Sequence, residues 1–230
     1  MKASYVSKEN LSTIVAKYVR EQIFLGRYGP GGRVSEADLC RELGVSKAPV
    51  REAIKEVESQ GLIEVRPNKG SFVTELALED IKEIFDVRLL LEGSIFEILL
   101  REDRLTDADL ARLTEIVDQM VELVRSDDAE DAKMASLEEM NLEFHSFLWH
   151  RSGSTRRLRI LLDLQYQLRL ASLMDTKLGG NPEETAKMHY DIIEALRRKD
   201  IRAAKRALKQ HIAIYRRSAR LPEGDLPASG

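Results

Sequence analysis

The chain has 230 residues, 43% hydrophobic and 33% charged, a balance that excludes a disordered chain and allows one or two packed domains. The lone cysteine, Cys40, rules out an intrachain disulfide, no apolar run approaches the ~18 residues of a membrane span, and Met1–Tyr5 lacks a signal peptide's apolar stretch, so a cytoplasmic protein with no membrane partner is expected. The net charge of −3 hides an asymmetry, since residues 1–74 carry 12 Lys/Arg against 9 Asp/Glu and the remainder carries 24 against 30, which fits an anionic partner for the first part only.

Helical periodicity opens near Asn10, with Leu11, Ile14, Val15, Tyr18, Val19, Ile23 and Phe24 on one face, and ends at Gly26. The run Tyr28-Gly29-Pro30-Gly31-Gly32 reads as a turn. Ser35 is the expected N-cap of a short helix to Leu43, with Asp38 as its capping-box acid and Leu39 and Leu43 inward. Gly44 permits a tight turn, Ser46 is a second N-cap candidate, and Pro49 suits the first turn of the next helix, which runs through Val50, Ile54 and Val57 to Gly61. Residues 62–66 and 71–74 are β-prone and flank Pro67-Asn68-Lys69-Gly70, the pattern of a hairpin. Helix, short helix, tight turn, helix and hairpin form the order of a winged helix-turn-helix.

A helix that enters the major groove reads base edges with side chains at its N-terminal end. Here that end is Ser46-Lys47-Ala48-Pro49-Val50-Arg51. Arg51 suits a two-pronged contact to guanine, Lys47 a guanine or a phosphate, and Ser46 a phosphate while also capping the helix. At the wing tip, Asn68, Lys69 and Gly70 suit close approach to a phosphate or the minor groove. The bland alternative is a small packed helical subdomain.

The stretch Arg33-Val34-Ser35-Glu36-Ala37-Asp38-Leu39, through Leu43-Gly44-Val45-Ser46-Lys47-Ala48-Pro49-Val50-Arg51-Glu52-Ala53, resembles the signature of GntR-family regulators. Gly61-Leu62-Ile63 and Lys69-Gly70-Ser71-Phe72-Val73 resemble that family's wing. The resemblance implies base and phosphate contacts at Ser46, Lys47, Ala48, Pro49, Arg51, Asn68, Lys69 and Gly70, with Ser35 at the start of the preceding helix. Many members carry Arg where this chain has Ala37; Arg33 or Arg41 is the expected substitute. Lys47 stands where Arg is frequent and lacks Arg's fork.

Beyond Thr74 six helical segments are expected, at 78–102, 106–126, 130–151, 154–178, 182–198 and 200–219, separated by cap or breaker residues. The fold class is therefore mainly α: a winged helix-turn-helix over residues 1–74, a linker at 75–80, an all-helical bundle over 81–220 and a disordered tail at 221–230.

The histidines are His145, His150, His189 and His211. Asn141 lies four residues before His145, on the same helical face. His189 is ten residues before Lys199 and His211 twelve after it, so an antiparallel hairpin places both at one height. Three histidines can then converge in the bundle core, where helical bundles build metal sites; ordinary hydrogen-bonded core histidines are the alternative. Asn141-Leu142-Glu143-Phe144-His145, Met188-His189-Tyr190 and Gln210-His211-Ile212 are similar to the histidine motifs of the all-helical ligand-binding (FCD) domain of FadR-type GntR regulators. That resemblance implies a divalent metal (zinc, nickel or manganese) held by Asn141, His145, His189 and His211, in the six-helix, VanR-like form. The motif takes Asp or Asn at this position, and the neutral amide of Asn141, a weaker zinc ligand than a carboxylate, lowers the expected affinity. His150 fits no motif.

Arg88 lies in an apolar stretch, where it either clamps a carboxylate or pairs with Glu92 four residues on. The resemblance implies an effector contact at Arg88, hence a small carboxylic or hydroxycarboxylic acid. The leading expectation is a ligand-responsive repressor acting as a symmetric dimer on double-stranded operator DNA. A metal-dependent hydrolase with an appended DNA-binding domain is the alternative, and an architectural DNA-binding protein a third; against the hydrolase, Glu143 is expected to point away from the ligands.

Overall fold

The computed structural model describes residues 10–127, 129–177 and 181–218, without the side chains of 131, 174–177 and 213–218. The expected disordered tail and the Gly179-Gly180 break lie outside the described residues. The chain divides into two compact units, Met1–Leu76 and Ala77–Gly230.

The first unit contains α1 (Leu11–Phe24), β1 (Arg33–Val34), α2 (Glu36–Leu43), α3 (Lys47–Ser59), β2 (Ile63–Arg66) and β3 (Gly70–Val73). Helix α1 packs against α3, burying Val15, Ala16, Val19 and Ile23 against Val50, Ala53, Ile54 and Val57. Leu11 and Ile14, expected on the inward face, are exposed at 54% and 46%; the small Ser12 and Ala16 are buried instead. Gly44 adopts φ 65° at the end of α2, a left-handed value that glycine reaches without a Cβ clash, and the Val45 N–H returns to the Cys40 carbonyl at 3.2 Å. That bond turns the chain sharply between the two helices.

The expected hairpin is a three-stranded antiparallel sheet in the order β1-β3-β2. Arg33 pairs with Phe72 and Val34 with Ser71, while Arg66 faces Gly70 across the hairpin. β1 is too short for alternation to be visible in sequence. Backbone bonds from Gly31 N–H to Val73 O (3.0 Å) and from Val73 N–H to Gly32 O (2.8 Å) secure it.

The second unit contains α4 (Leu78–Arg101), α5 (Asp107–Val124), α6 (Glu130–Arg151), α7 (Thr155–Lys177), α8 (Pro182–Arg197) and α9 (Ile201–Ser218). Helix α4 begins inside the stretch expected as a linker, where Asp80 Oδ2 accepts the Ala77 N–H at 2.9 Å. At the head of α5, Thr106 Oγ1 accepts the Asp109 N–H (3.2 Å) and Asp109 Oδ2 accepts the Thr106 N–H (2.9 Å), a reciprocal capping box. Asn141 and His145 of α6 face inward with Phe144, Leu148 and Trp149, all buried. α8 and α9 form the expected hairpin, and α9 also packs on α4 and α7. Among the described residues no helix is long and apolar enough to cross a membrane.

Candidate metal centre and nucleic-acid interface

In the first unit, Ser46, Lys47, Ala48 and Arg51 are exposed along the start of α3, and Pro49 is half-buried. Ser46 has the backbone of an N-cap, but its hydroxyl makes no capping bond, contrary to expectation. An N-cap oxygen accepts from the second or third helical N–H. Pro49 occupies the third position and has none. Ser35 has no such obstacle: its Oγ accepts the Asp38 N–H at 3.3 Å. Asp38 itself pairs with Arg41, so only half of the expected capping box forms. Arg51 reaches back to α2, with Nε 3.0 Å from Glu36 Oε2 in an exposed pair.

At the wing, Lys69 N–H donates to Arg66 O at 3.0 Å and Asn68 has φ 60°. Pro67 and Asn68 therefore occupy the central positions of a turn with type II character, where proline and asparagine are both favoured. Gly70 has φ 103°, and a Cβ there would lie 3.5 Å from the Arg33 guanidinium, ordinary contact. Backbone conformation, more than the clearance expected from sequence, accounts for that glycine. The same contact places Arg33 beside the wing tip. Arg66 stacks over the Phe72 ring, 4.6 Å from its centroid.

The second unit brings Asn141, His145, His189 and His211 together in its interior; the three imidazoles are fully buried. One nitrogen from each histidine lies within 4.8 Å of the others. His145 Nε2 and His211 Nε2 are 3.2 Å apart, and His189 Nε2 is 3.1 Å from Asn141 Oδ1. Nitrogens on a tetrahedral zinc, with bonds near 2.05 Å, are about 3.3 Å apart. Phe144 packs edge-on against the rings of His145 and His189, with centroids at 5.1 and 4.6 Å. His150 lies outside the cluster, exposed, with Nδ1 2.7 Å from Ser146 O.

The partners of the ring nitrogens determine their protonation. His145 Nδ1 is 2.7 Å from Glu92 Oε2. An ionised carboxylate only accepts, so Nδ1 carries the hydrogen and Nε2 the lone pair. His189 Nδ1 faces the carbonyls of Ala186 (3.0 Å) and Thr185 (3.2 Å), so its Nε2 is likewise a lone pair. Burial lowers the pKa of His189 to about 4, and burial with the nearby positive charge of Arg88 lowers that of His145 well below the ordinary value. His211 is lowered well below it too, by burial first. At neutral pH the cluster thus presents uncharged imidazoles, and the His189 lone pair faces the carbonyl oxygen of Asn141. Two acceptors in contact are repulsive unless a cation lies between them. The donor set fits a divalent metal.

Two carboxylates complete the site: Glu92, expected only as a salt-bridge partner of Arg88, and Glu138, which the sequence expectation did not include. Glu92 joins its two halves, with Oε1 2.6 Å from Arg88 Nε and Oε2 on His145. Burial raises its pKa against the pull of Arg88, and the Trp149 indole also favours the ionised form without reaching hydrogen-bond geometry. Glu138 Oε2 accepts from Asn141 Nδ2 at 3.3 Å; burial pushes its pKa up to about 7 despite the opposing charge of Arg88. Its position is legible in retrospect, since Glu138, Asn141 and His145 follow helical spacing along one face. Glu143 is spent on an exposed ion pair with Arg112 at 2.9 Å. Two voids of about 20 and 10 Å³ adjoin the site, both lined by Glu138 and Asn141. The larger runs toward Met120 and Met134, the smaller toward Arg88, Arg169 and Ser172.

Residues 11–73 match the family described as bacterial regulatory proteins, gntR family, and residues 83–214 match the FCD domain. The chain is 30% identical over 217 residues to a protein of Paenarthrobacter nicotinovorans named as a probable D-xylose utilization operon transcriptional repressor, covering 91% of this chain and 90% of that one. It is 27% identical over 205 residues to the gluconate operon transcriptional repressor of Bacillus subtilis (strain 168), covering 86% and 80%. Its fold resembles that of E. coli McbR/YncC, with TM-score 0.71, 24% identity and coverage of 91% and 99%. A GntR transcriptional regulator from Rhodococcus sp. RHA1 gives TM-score 0.70 at 22% identity, covering 90% and 97%. A winged helix-turn-helix matched over its length and a helical bundle matched as an FCD domain make this chain a member of the GntR family of transcription regulators, of the type whose second domain is the effector-binding FCD domain.

Proposed function

We propose that the chain is a repressor that leaves its operator when a small carboxylic or hydroxycarboxylic acid binds beside a divalent metal in the FCD domain. The observation that carries this reading is the buried set of Asn141, His145, His189 and His211, adjacent to a void lined by Arg88. Four neutral nitrogen and oxygen donors suit zinc, nickel or manganese; a bound metal polarises an acid's oxygens and fixes its orientation. The relatives named as operon repressors support the sign of the response. Repression without turnover is favoured over hydrolysis, because Glu92 and Glu138 are committed to His145 and Asn141 and Glu143 to Arg112.

The voids hold little more than a water apiece, so the acid enters by displacing side chains. Its carboxylate takes the Arg88 guanidinium from Glu92, exchanging one charge-assisted pair for another. That exchange favours a conformation of the dimer in which the two reading helices no longer match the operator half-sites. DNA is read by Lys47 and Arg51 of α3. Ser35, Ser46, Ala48, Pro49 and the wing residues Asn68, Lys69 and Gly70 set the approach to the backbone. Ser46, whose hydroxyl makes no capping bond, offers it to a phosphate. Arg41 and Arg33 are the candidates to stand in for the arginine absent at Ala37, and Arg33 is favoured because it lies beside the wing tip. The protein acts in the cytoplasm.

The test is a mobility-shift titration at fixed salt on an operator recovered by selection from random duplexes. Arg51→Ala weakens specific binding by about 1–3 kcal/mol per half-site and leaves nonspecific binding and the circular-dichroism spectrum in place. Unchanged specific affinity would overturn the assignment of α3 as the reading helix.

A further inference from the structure

The four metal donors proposed above are all neutral. A divalent cation buried among them gains no charge from its ligands, in an interior where charge is costly. Glu138, one turn before Asn141 on α6 and itself buried, lies next to that set, and its Oε2 accepts the Asn141 Nδ2 hydrogen at 3.3 Å.

This bond does two things. It fixes the amide's orientation: with Nδ2 held by a carboxylate, Oδ1 is the atom presented to His189 Nε2 at 3.1 Å. It also polarises the amide, because donation from nitrogen to an anion favours the resonance form with negative charge on oxygen, and that oxygen becomes the stronger ligand. Glu92 treats His145 in the same way through Nδ1, and outer acceptors of this kind raise the basicity of metal-binding groups. The two carboxylates differ in their surroundings. Glu92 bonds directly to Arg88 at 2.6 Å. Glu138 has Asn141 as its hydrogen-bond partner, with the Ser172 hydroxyl and the positive charges of Arg88 and Arg169 around it favouring its ionised form against burial.

We propose that Glu138 is the positioning residue that lets an asparagine serve where a carboxylate would otherwise be needed: it aims and polarises Asn141 Oδ1, and its charge offsets that of the metal across the amide. The inference rests on the metal reading of the histidine cluster. It assigns the missing negative charge to a neighbouring side chain one helical turn away.

Zinc titrations of the chelator-stripped full chain test it, with four proteins: wild type, Glu138→Gln, Asn141→Asp and the double variant. Glu138→Gln keeps the shape and an acceptor oxygen but removes the charge, and is expected to weaken zinc binding by about 10–100-fold. Asn141→Asp in that background returns the charge to the ligand and is expected to restore affinity to within about threefold of wild type, by the same outer-shell logic. A purely structural Glu138 would not be rescued in this way. Glu138→Met, uncharged and of similar length, replaces the glutamine variant should that fail to fold, with the same loss expected. Wild-type affinity in the folded Glu138 variant, or a double variant as weak as the single, overturns the proposal and leaves the metal reading standing. No zinc binding by the wild type overturns both.

Discussion

Arg88 and Glu92 lie one turn apart on α4, at 2% and 0% exposure. Neither charge is tolerable there alone. Arg88→Ala leaves Glu92 charged and buried beside His145 and is expected to cost about 3–5 kcal/mol in urea unfolding; a loss below about 1 kcal/mol would mean that water or a proton compensates Glu92. Sequence offered this arginine two roles, salt bridge or effector clamp. The structure contains the first; the second belongs to the proposed exchange with the acid's carboxylate. Ser46 shows a different limit of single-residue reading. Its cap position was legible, but Pro49 three residues on removes one of the two N–H donors a cap can use, a combination that residue preferences taken one at a time do not express.

At the scale of elements, two helix ends carry strain that glycine would relieve. Asp103 (φ 49°) and Lys199 (φ 53°) follow α4 and α8 in the left-handed region. The next N–H in each case closes back on the helix, Arg104 to Leu99 O at 2.9 Å and Asp200 to Ala195 O at 3.0 Å. These are helix-ending motifs in which glycine is the favoured residue. The two side chains form an ion pair of 2.7 Å, but they are 70% and 61% exposed, so the pair contributes little. The double substitution Asp103→Gly, Lys199→Gly is expected to raise stability by about 1 kcal/mol, read as a higher urea midpoint at unchanged slope. A lower midpoint would mean that the ion pair outweighs the backbone strain. Elements with long periodicity or strong caps, α1 to α9, were legible within a few residues. β1 was not, because two residues carry no period and its pairing with Phe72 and Ser71 is made across the chain.

At the scale of the molecule, the reading head and the bundle are separate compact units, so ligands of one need not stabilise the other. Zinc at a hundred times its dissociation constant stabilises a folded binding unit by about 2.7 kcal/mol. Thermal melting of the full chain is therefore expected to show an upward shift of the bundle's transition on zinc addition, reversed by a chelator and absent in His189→Ala. Identical melting of the wild type with and without zinc would remove the metal from the mechanism.

The sequence by itself determined the helices, the reading head, the wing turn and the positions of the candidate ligands along each helix. These depend on neighbours within one or two turns: periodicity, caps, Gly44, the Pro67-Asn68 pair and the four-residue step from Asn141 to His145. Only the tertiary structure decided which polar groups share one interior. Glu92 meets His145 across 53 residues, Asn141 meets His189 across 48, and His145 meets His211 across 66. Burial then makes each encounter obligatory, because a charge or donor removed from water must find its partner there. The requirement brings Glu92 and Glu138 into the site: helical spacing shows Glu92 beside Arg88 and Glu138 beside Asn141, but only the tertiary structure sets Glu92 against His145.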